Sequence, residues 1–232
     1  MPDPASLLAA ACRRDPAGPL LTFYDDETGE RTEVSATTAA NWVAKTANLL
    51  RDDLDVEVDE VVAVLLPAHW QTAVVLLALW SIGAVPTATP ADGLVVVAGA
   101  GLPVAGAREV LGLSLLPMNG RLPHPPAGVV DYAAEVLAAP DVFVGGEPSG
   151  QADAERAYRR AAELGLAAGD RLLVTDAVGL ADAVDWLLAP LAAGASVVLC
   201  RHADLKRLPA RVAQERVSVT LGRPVSGVRP TG

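Results

Sequence analysis

The stretch Val61–Pro90, VVAVLLPAHWQTAVVLLALWSIGAVPTATP, decides how the chain is read. Its opening VVAVLLP is continuously apolar, the character of a strand covered on both faces. Trp70 to Ile82 is apolar all round, so a helix there has no face to offer water and is expected to be wholly buried. Gly83 stops it, and GAVPTATP reads as a short extended exit. The longest apolar run, Thr72 to Val85, has 14 residues and ends at Pro86, short of the roughly 20 that cross a bilayer.

The same alternation extends in both directions. Upstream, PLLTFY (19–24) and RTEVS (31–35) flank the turn DDETGE as a hairpin. Ser35 then caps a helix predicted from about Ala36 to Arg51, whose Ala39, Val43, Ala47 and Leu50 share a face. Downstream, GLVVVAGAG (93–101) and REVLGLSLLP (108–117) read as strands, and MNGRLPHPPAG (118–128) marks an internal boundary. A short helical piece around Tyr132 to Leu137 and a helix from roughly Ala152 to Leu164 follow. RLLVT, DAVDWLLAPLAAG, SVVLC, the segment after Asp204 and VSVTLG continue as strand, helix, strand, helix and strand. This order predicts an α/β fold with largely parallel sheets flanked by helices. The expected organisation is a first lobe over 1–117, a connection over 118–128, a second lobe over 129–222 and a frayed tail over 223–232.

Composition limits the function classes. A formal charge of -10 argues against nucleic acid and anionic membranes, which attract basic surfaces. Hydrophobic residues make up 51% but aromatics only 4%, so Ala, Val and Leu must fill the core. In MPDPASLLAAACRRD the positive charges follow the apolar stretch, the reverse of a secretory signal, and a cytoplasmic protein is expected. Cys12 and Cys200 stand far apart without ligand-spaced neighbours and read as reduced thiols.

Candidate chemistry is sparse. VFVGGEPSG (142–150) approaches a helix start with glycines, a geometry that suits an anion. Glu147, Asp153 and Glu155 surround it, the first basic residue after it is Arg156, and no lysine is near. Ser149 is read as the N-cap of the following helix. Gly99 and Gly101 begin a G-x-G-x-x-G pattern whose third position falls on Val104 and whose helix start is occupied by Pro103, so a structural turn is the better reading. His69, His124 and His202 lie in unlike contexts with no second ligand at metal spacing, and no metal site is expected. Arg201 and His202 follow a strand at the end where parallel sheets collect ligands.

Residues 20–90 and the later runs AAELGLAAGDRLLVTDAVGLADAVDWLLAPLAAGASVVLC and DLKRLPARVAQERVSVTLG resemble, in order and spacing, the N-terminal portion of the adenylate-forming superfamily. That superfamily comprises acyl-CoA synthetases, peptide-synthetase adenylation domains and luciferases. REVLGLSLLPMNGRLPHPPAGVVDYAAEV is similar to a small group of short members with only this front portion. The resemblance places the superfamily's phosphate loop, Ser/Thr-Ser-Gly-Thr-Thr-Gly-x-Pro-Lys-Gly, on VFVGGEPSGQADAERA, leaving Gly145, Gly146, Ser149 and Gly150 as its degenerate remnant. The hydroxyl-rich core and the lysine are missing, and the whole chain holds only Lys45 and Lys206. An aromatic-His pair of the family falls on Gly179 and Leu180, and the adenine, ribose and catalytic-lysine motifs lie beyond Gly232. No residue inherits a catalytic role. The resemblance implies a truncated, non-catalytic binding or scaffolding domain with no cofactor and no productive ATP or AMP binding. The alternative is one half of a split acyl-activating enzyme completed by a partner chain. A homodimer or a partner protein over exposed apolar surface is expected, such a surface favouring the split enzyme or a homo-oligomer and a smooth polar one an independent module.

Overall fold

The computed structural model describes residues 2–89, 93–102 and 104–231, with Ala100 described by its backbone alone. In chain order the elements are α1 (Pro4–Arg14), β1 (Pro19–Asp25), β2 (Glu30–Ser35), α2 (Ala36–Asn48), β3 (Val61–Leu65), α3 (Trp70–Ile82), β4 (Val85–Thr87), β5 (Leu94–Ala98), β6 (Glu109–Leu113) and β7 (Val129–Asp131). They continue with α4 (Tyr132–Glu135), α5 (Gln151–Glu163), β8 (Arg171–Val174), α6 (Ala189–Ala193), β9 (Ser196–Arg201), α7 (Leu208–Glu215), β10 (Val219–Leu221) and β11 (Arg229–Pro230). Two sheets result, ordered β11-β10-β8-β9-β1-β2 and β4-β3-β5-β6-β7. Every pairing is parallel except the β1–β2 hairpin.

The buried strands explain their own continuous apolar sequence. Val62, Val64, Leu94 and Val96 turn one way, into a large core shared with α1, α2, α3 and the inner face of the other sheet. Ala63, Val95, Val97 and Val110 turn the other way, under a separate apolar cover. All 13 residues of α3 are buried, because the helix touches α1 and α2 as well as β1 of one sheet and β4 of the other. Gly83 ends it at φ 87, a left-handed backbone that glycine adopts without strain. Ser35 caps α2 through a 3.1 Å bond accepted from Thr38 N–H.

Three expectations change. The sheets cut across the predicted lobes: β1 and β2 join the sheet of β8–β11, while β7 edges the other. The Pro/Gly-rich segment 118–128 is therefore a connection within one sheet, bridging β6 to β7. The tail is not frayed, since β11 pairs with β10 and Arg229 donates to Gly165 O (2.7 Å) and Asp170 Oδ2 (2.8 Å). The N-terminal stretch forms α1, entered through a capping box between Asp3 and Ser6. Cys12 and Cys200 are both free. Among the described residues no helix is long and apolar enough to cross a membrane.

A buried ionic network ties the first sheet to α7. Glu215, with its side chain 5% exposed, accepts from Arg171 Nη2 at 2.6 Å, Arg31 Nη2 at 3.0 Å and the Tyr24 hydroxyl. Arg211 and Asp26, each 6% exposed, pair at 2.7 Å, and the Arg211 guanidinium lies 4.0 Å from the Tyr24 ring centroid. Such groups remain charged when buried because every partner is present.

Candidate functional site

The segment 142–150 follows no strand. Val142 and Val144 are 67% and 76% exposed, and the segment has no regular structure. Three polar side chains of the helix that starts at Ala36 and its continuation hold this strap and the residues from Leu137 that lead into it. Lys45 donates to the Leu137 and Ala139 carbonyls, Asn48 Nδ2 to Pro140 and Val142 (2.9 and 3.0 Å), and Arg51 Nη1 to Val144 (3.0 Å). The Arg51 guanidinium also lies 4.6 Å from the Phe143 ring centroid.

The strap then docks on the C-terminal end of α3. Helix ends leave carbonyls without partners, and Ser149 supplies two donors there: its N–H to Trp80 O (2.9 Å) and its hydroxyl to Ala84 O (2.6 Å). Ser149 is thus not the N-cap of α5. That position belongs to Gly150, at φ 79 and with no side-chain cap. Gly145 (φ 88), Gly146 (φ 104) and Gly150 all take left-handed backbone. A Cβ at Gly146 would lie 2.8 Å from Ser81 O and one at Gly150 2.6 Å from Trp80 Cδ1, whereas Gly145 has nothing within 4 Å. Two of the glycines therefore permit close approach to α3.

Ser149→Ala is expected to cost about 1–3 kcal/mol, because it strips a donor from a buried carbonyl. Ser149→Asp, which would suit an N-cap, should cost at least as much, since a carboxylate cannot donate to Ala84 O. Chemical denaturation distinguishes the roles: an aspartate variant as stable as the parent would restore the capping role.

Two other sequence positions prove to be turns. Gly99–Gly101 form a single 3-10 turn after β5, with Leu102 N–H donating to Gly99 O, and Leu102 is already extended. Pro103, expected to block a helix start, lies outside the described residues. At Gly179 a Cβ would come within 2.1 Å of Leu66 O, and its carbonyl accepts from Trp186 Nε1 at 2.8 Å. At Gly179, where the resemblance puts the superfamily's aromatic-His pair, there is no room for a side chain.

Polar groups gather instead at the C-terminal edge of the first sheet. β1 and β9 run parallel with Asp25 opposite Arg201, so the residues that follow each strand meet. His202 Nδ1 stands 2.9 Å from Asp25 Oδ1 and 3.1 Å from Glu27 Oε2. Burial alone would raise the Asp25 carboxyl, but His202 and the Glu27 N–H outweigh it and hold it below 3.8. Nearby, His69 caps α3 by accepting from Gln71 N–H at 3.1 Å. Its Nε2 faces Glu30 Oε2 at 3.8 Å, too long for a hydrogen bond, and has no other partner. Burial pushes the His69 imidazole below 6.5, with the Glu30 charge opposing, so the ring is neutral inside the fold.

Sequence spacing concealed both carboxylate neighbours of His202, 177 and 175 positions away. The only local signal was that DDETGE and RH each follow a strand.

No protein-family model matches the chain. A curated relative from Mycobacterium tuberculosis, a TIGR03089 family protein, is 43% identical over 236 residues, spanning 93% of this chain and 96% of that protein. The chain belongs to the TIGR03089 family. Solved structures show the fold of this TIGR03089 family member. A Mycobacterium tuberculosis fatty acyl CoA synthetase superposes with a TM-score of 0.72 at 12% identity, over 94% of this chain and 48% of that one. A Brucella canis acyl-CoA synthetase gives 0.72 at 21% identity, covering 94% and 47%. Acetoacetyl-CoA synthetase from Streptomyces lividans gives 0.73 at 19%, covering 94% and 42%. The chain spans about half the length of these enzymes and shares the fold of that part of them.

Proposed function

We propose that this chain is a non-catalytic, cytoplasmic binding or scaffolding domain on the adenylate-forming fold, without ATP or AMP as a resident ligand. One observation carries the reading. The Ser149 donors, in the place of the family's phosphate loop, are turned onto the Trp80 and Ala84 carbonyls at the end of α3. Adenylation needs cationic and hydrogen-bonding groups where charge develops on the transferred phosphorus. A loop with those donors already engaged, with Glu147 and without a lysine, does not supply them. The net charge of -10 supports a partner that is neither nucleic acid nor a membrane.

A second reading, half of a split acyl-activating enzyme, is favoured by Leu137, Val142 and Val144, which are 61%, 67% and 76% exposed beside the same loop. A companion chain or second copy would cover them. Pyrophosphate exchange with ATP across a panel of fatty and aromatic acids is expected to stay at background for the purified chain. Exchange well above background by this chain alone would refute the proposal. Exchange that appears only when a companion chain is added would transfer support to the split enzyme.

A further inference from the structure

We propose that Asp25, Glu27 and His202 form a binding site for a divalent transition-metal cation, for which Zn2+ is the suited probe. Three donor atoms from two segments far apart in sequence converge, all within 4.8 Å of one another. The 2.9 and 3.1 Å separations from His202 Nδ1 to the two carboxylate oxygens are close to those between neighbouring ligands on a metal bonded at about 2.0–2.2 Å. An imidazole with two carboxylates is a donor set that suits zinc and its first-row neighbours better than Mg2+.

Charge points the same way. Nδ1 carries at most one proton, yet two carboxylates face it. Neither Asp25 nor Glu27 has an ion-pair partner among the described residues other than His202. Arg211 and Arg207 both pair with Asp26, and Arg201, beside His202, acts on Asp25 through its charge without an ion pair. A cation bound by the Nδ1 lone pair would neutralise both carboxylates at once and send the imidazole proton to Nε2.

The arrangement is also held in place. Asp26 accepts from Arg211 and from Asp204 N–H at 2.7 Å, and its own N–H donates to Arg201 O at 3.2 Å, which locks the two ligand-bearing turns together. Glu27 N–H donates to Asp25 Oδ1 at 2.9 Å, which fixes the Asp25 carboxylate within the turn. With the His202 side chain 41% and Glu27 72% exposed, positions remain open for water or a further ligand, as in zinc sites that are not purely structural. The site lies at the C-terminal edge of parallel strands, where α/β folds bind ligands.

Isothermal titration of the tag-free full chain with Zn2+, and with Mg2+ as a comparison, tests the assignment. One Zn2+ per chain is expected, with affinity lowered about tenfold or more in His202→Ala and in Glu27→Gln. Zn2+ should also raise the melting temperature of the parent but not of His202→Ala. Glu27 is largely exposed, so its variant reports on ligation without loss of the fold. Absence of stoichiometric Zn2+ binding by the parent, or affinity unchanged in both variants, would overturn the proposal.

Discussion

Glu215→Ala is expected to lower stability by about 3–5 kcal/mol, the usual cost of removing one member of a buried ionic network. Its carboxylate is the shared acceptor of Arg171, Arg31 and Tyr24, and it joins α7 to β1, β2 and β8. Without it the Arg171 guanidinium, 12% exposed, stays buried with only neutral acceptors such as Thr22 Oγ1 at 2.8 Å. Urea denaturation should show a lower midpoint at unchanged slope, and a cost under about 1 kcal/mol would mean that water replaces the carboxylate at no great penalty.

The pH dependence follows from the same groups. Burial would raise the Glu215 and Asp26 carboxyls, but their arginine and tyrosine partners overcome it and hold them below 4.5 and 3.8. Between the folded and unfolded values the unfolded chain binds more protons, so their stabilisation is complete above the unfolded values and is lost as pH falls through the folded ones. Buried His69, with its value lowered, adds an earlier loss that starts as pH drops below 6.5. Glu215→Gln should flatten the acid limb of a stability-pH curve and leave the His69 shoulder in place.

Gly150→Ala should cost about 2–5 kcal/mol. A left-handed non-glycine residue costs roughly 1–2 kcal/mol, and a Cβ placed 2.6 Å from Trp80 Cδ1 adds an overpacking penalty of about 1–3 kcal/mol. Gly145→Ala shares the backbone strain at φ 88 but meets nothing within 4 Å, so it should cost only the first part. This difference between two glycines of one loop, measured as denaturation midpoints, separates docking on α3 from anion binding. Equal costs would remove the argument that the loop is shaped by its contact with α3.

Much of the fold was legible because burial leaves a local trace. VVAVLLP, GLVVVAGAG and Val197–Cys200 of SVVLC are continuously apolar because their strands are covered on both faces, and Trp70–Ile82 has no polar face because α3 is enclosed. Ser35 and Gly83 could be read as helix ends because their roles depend on residues within one turn. Ser149 misled for the opposite reason. It sits one residue before a capping position occupied by Gly150, and its hydroxyl instead answers a carbonyl 65 positions away. α1 went unread because its apolar stretch was weighed only against a secretory signal.

The sequence by itself determined the α/β class, most of the order of strands and helices, the acidic charge and the scarcity of lysine. These depend on composition, periodicity and short-range capping, which a chain carries before it folds. Only the tertiary structure decided that the N-terminal hairpin completes the C-terminal sheet, that the tail forms an edge strand, that the glycine loop faces α3, and that His202 meets Asp25 and Glu27. Each of those contacts joins segments separated by many residues, brought together by strand pairing and core burial, and no local pattern of residues records which distant partner a given segment will meet.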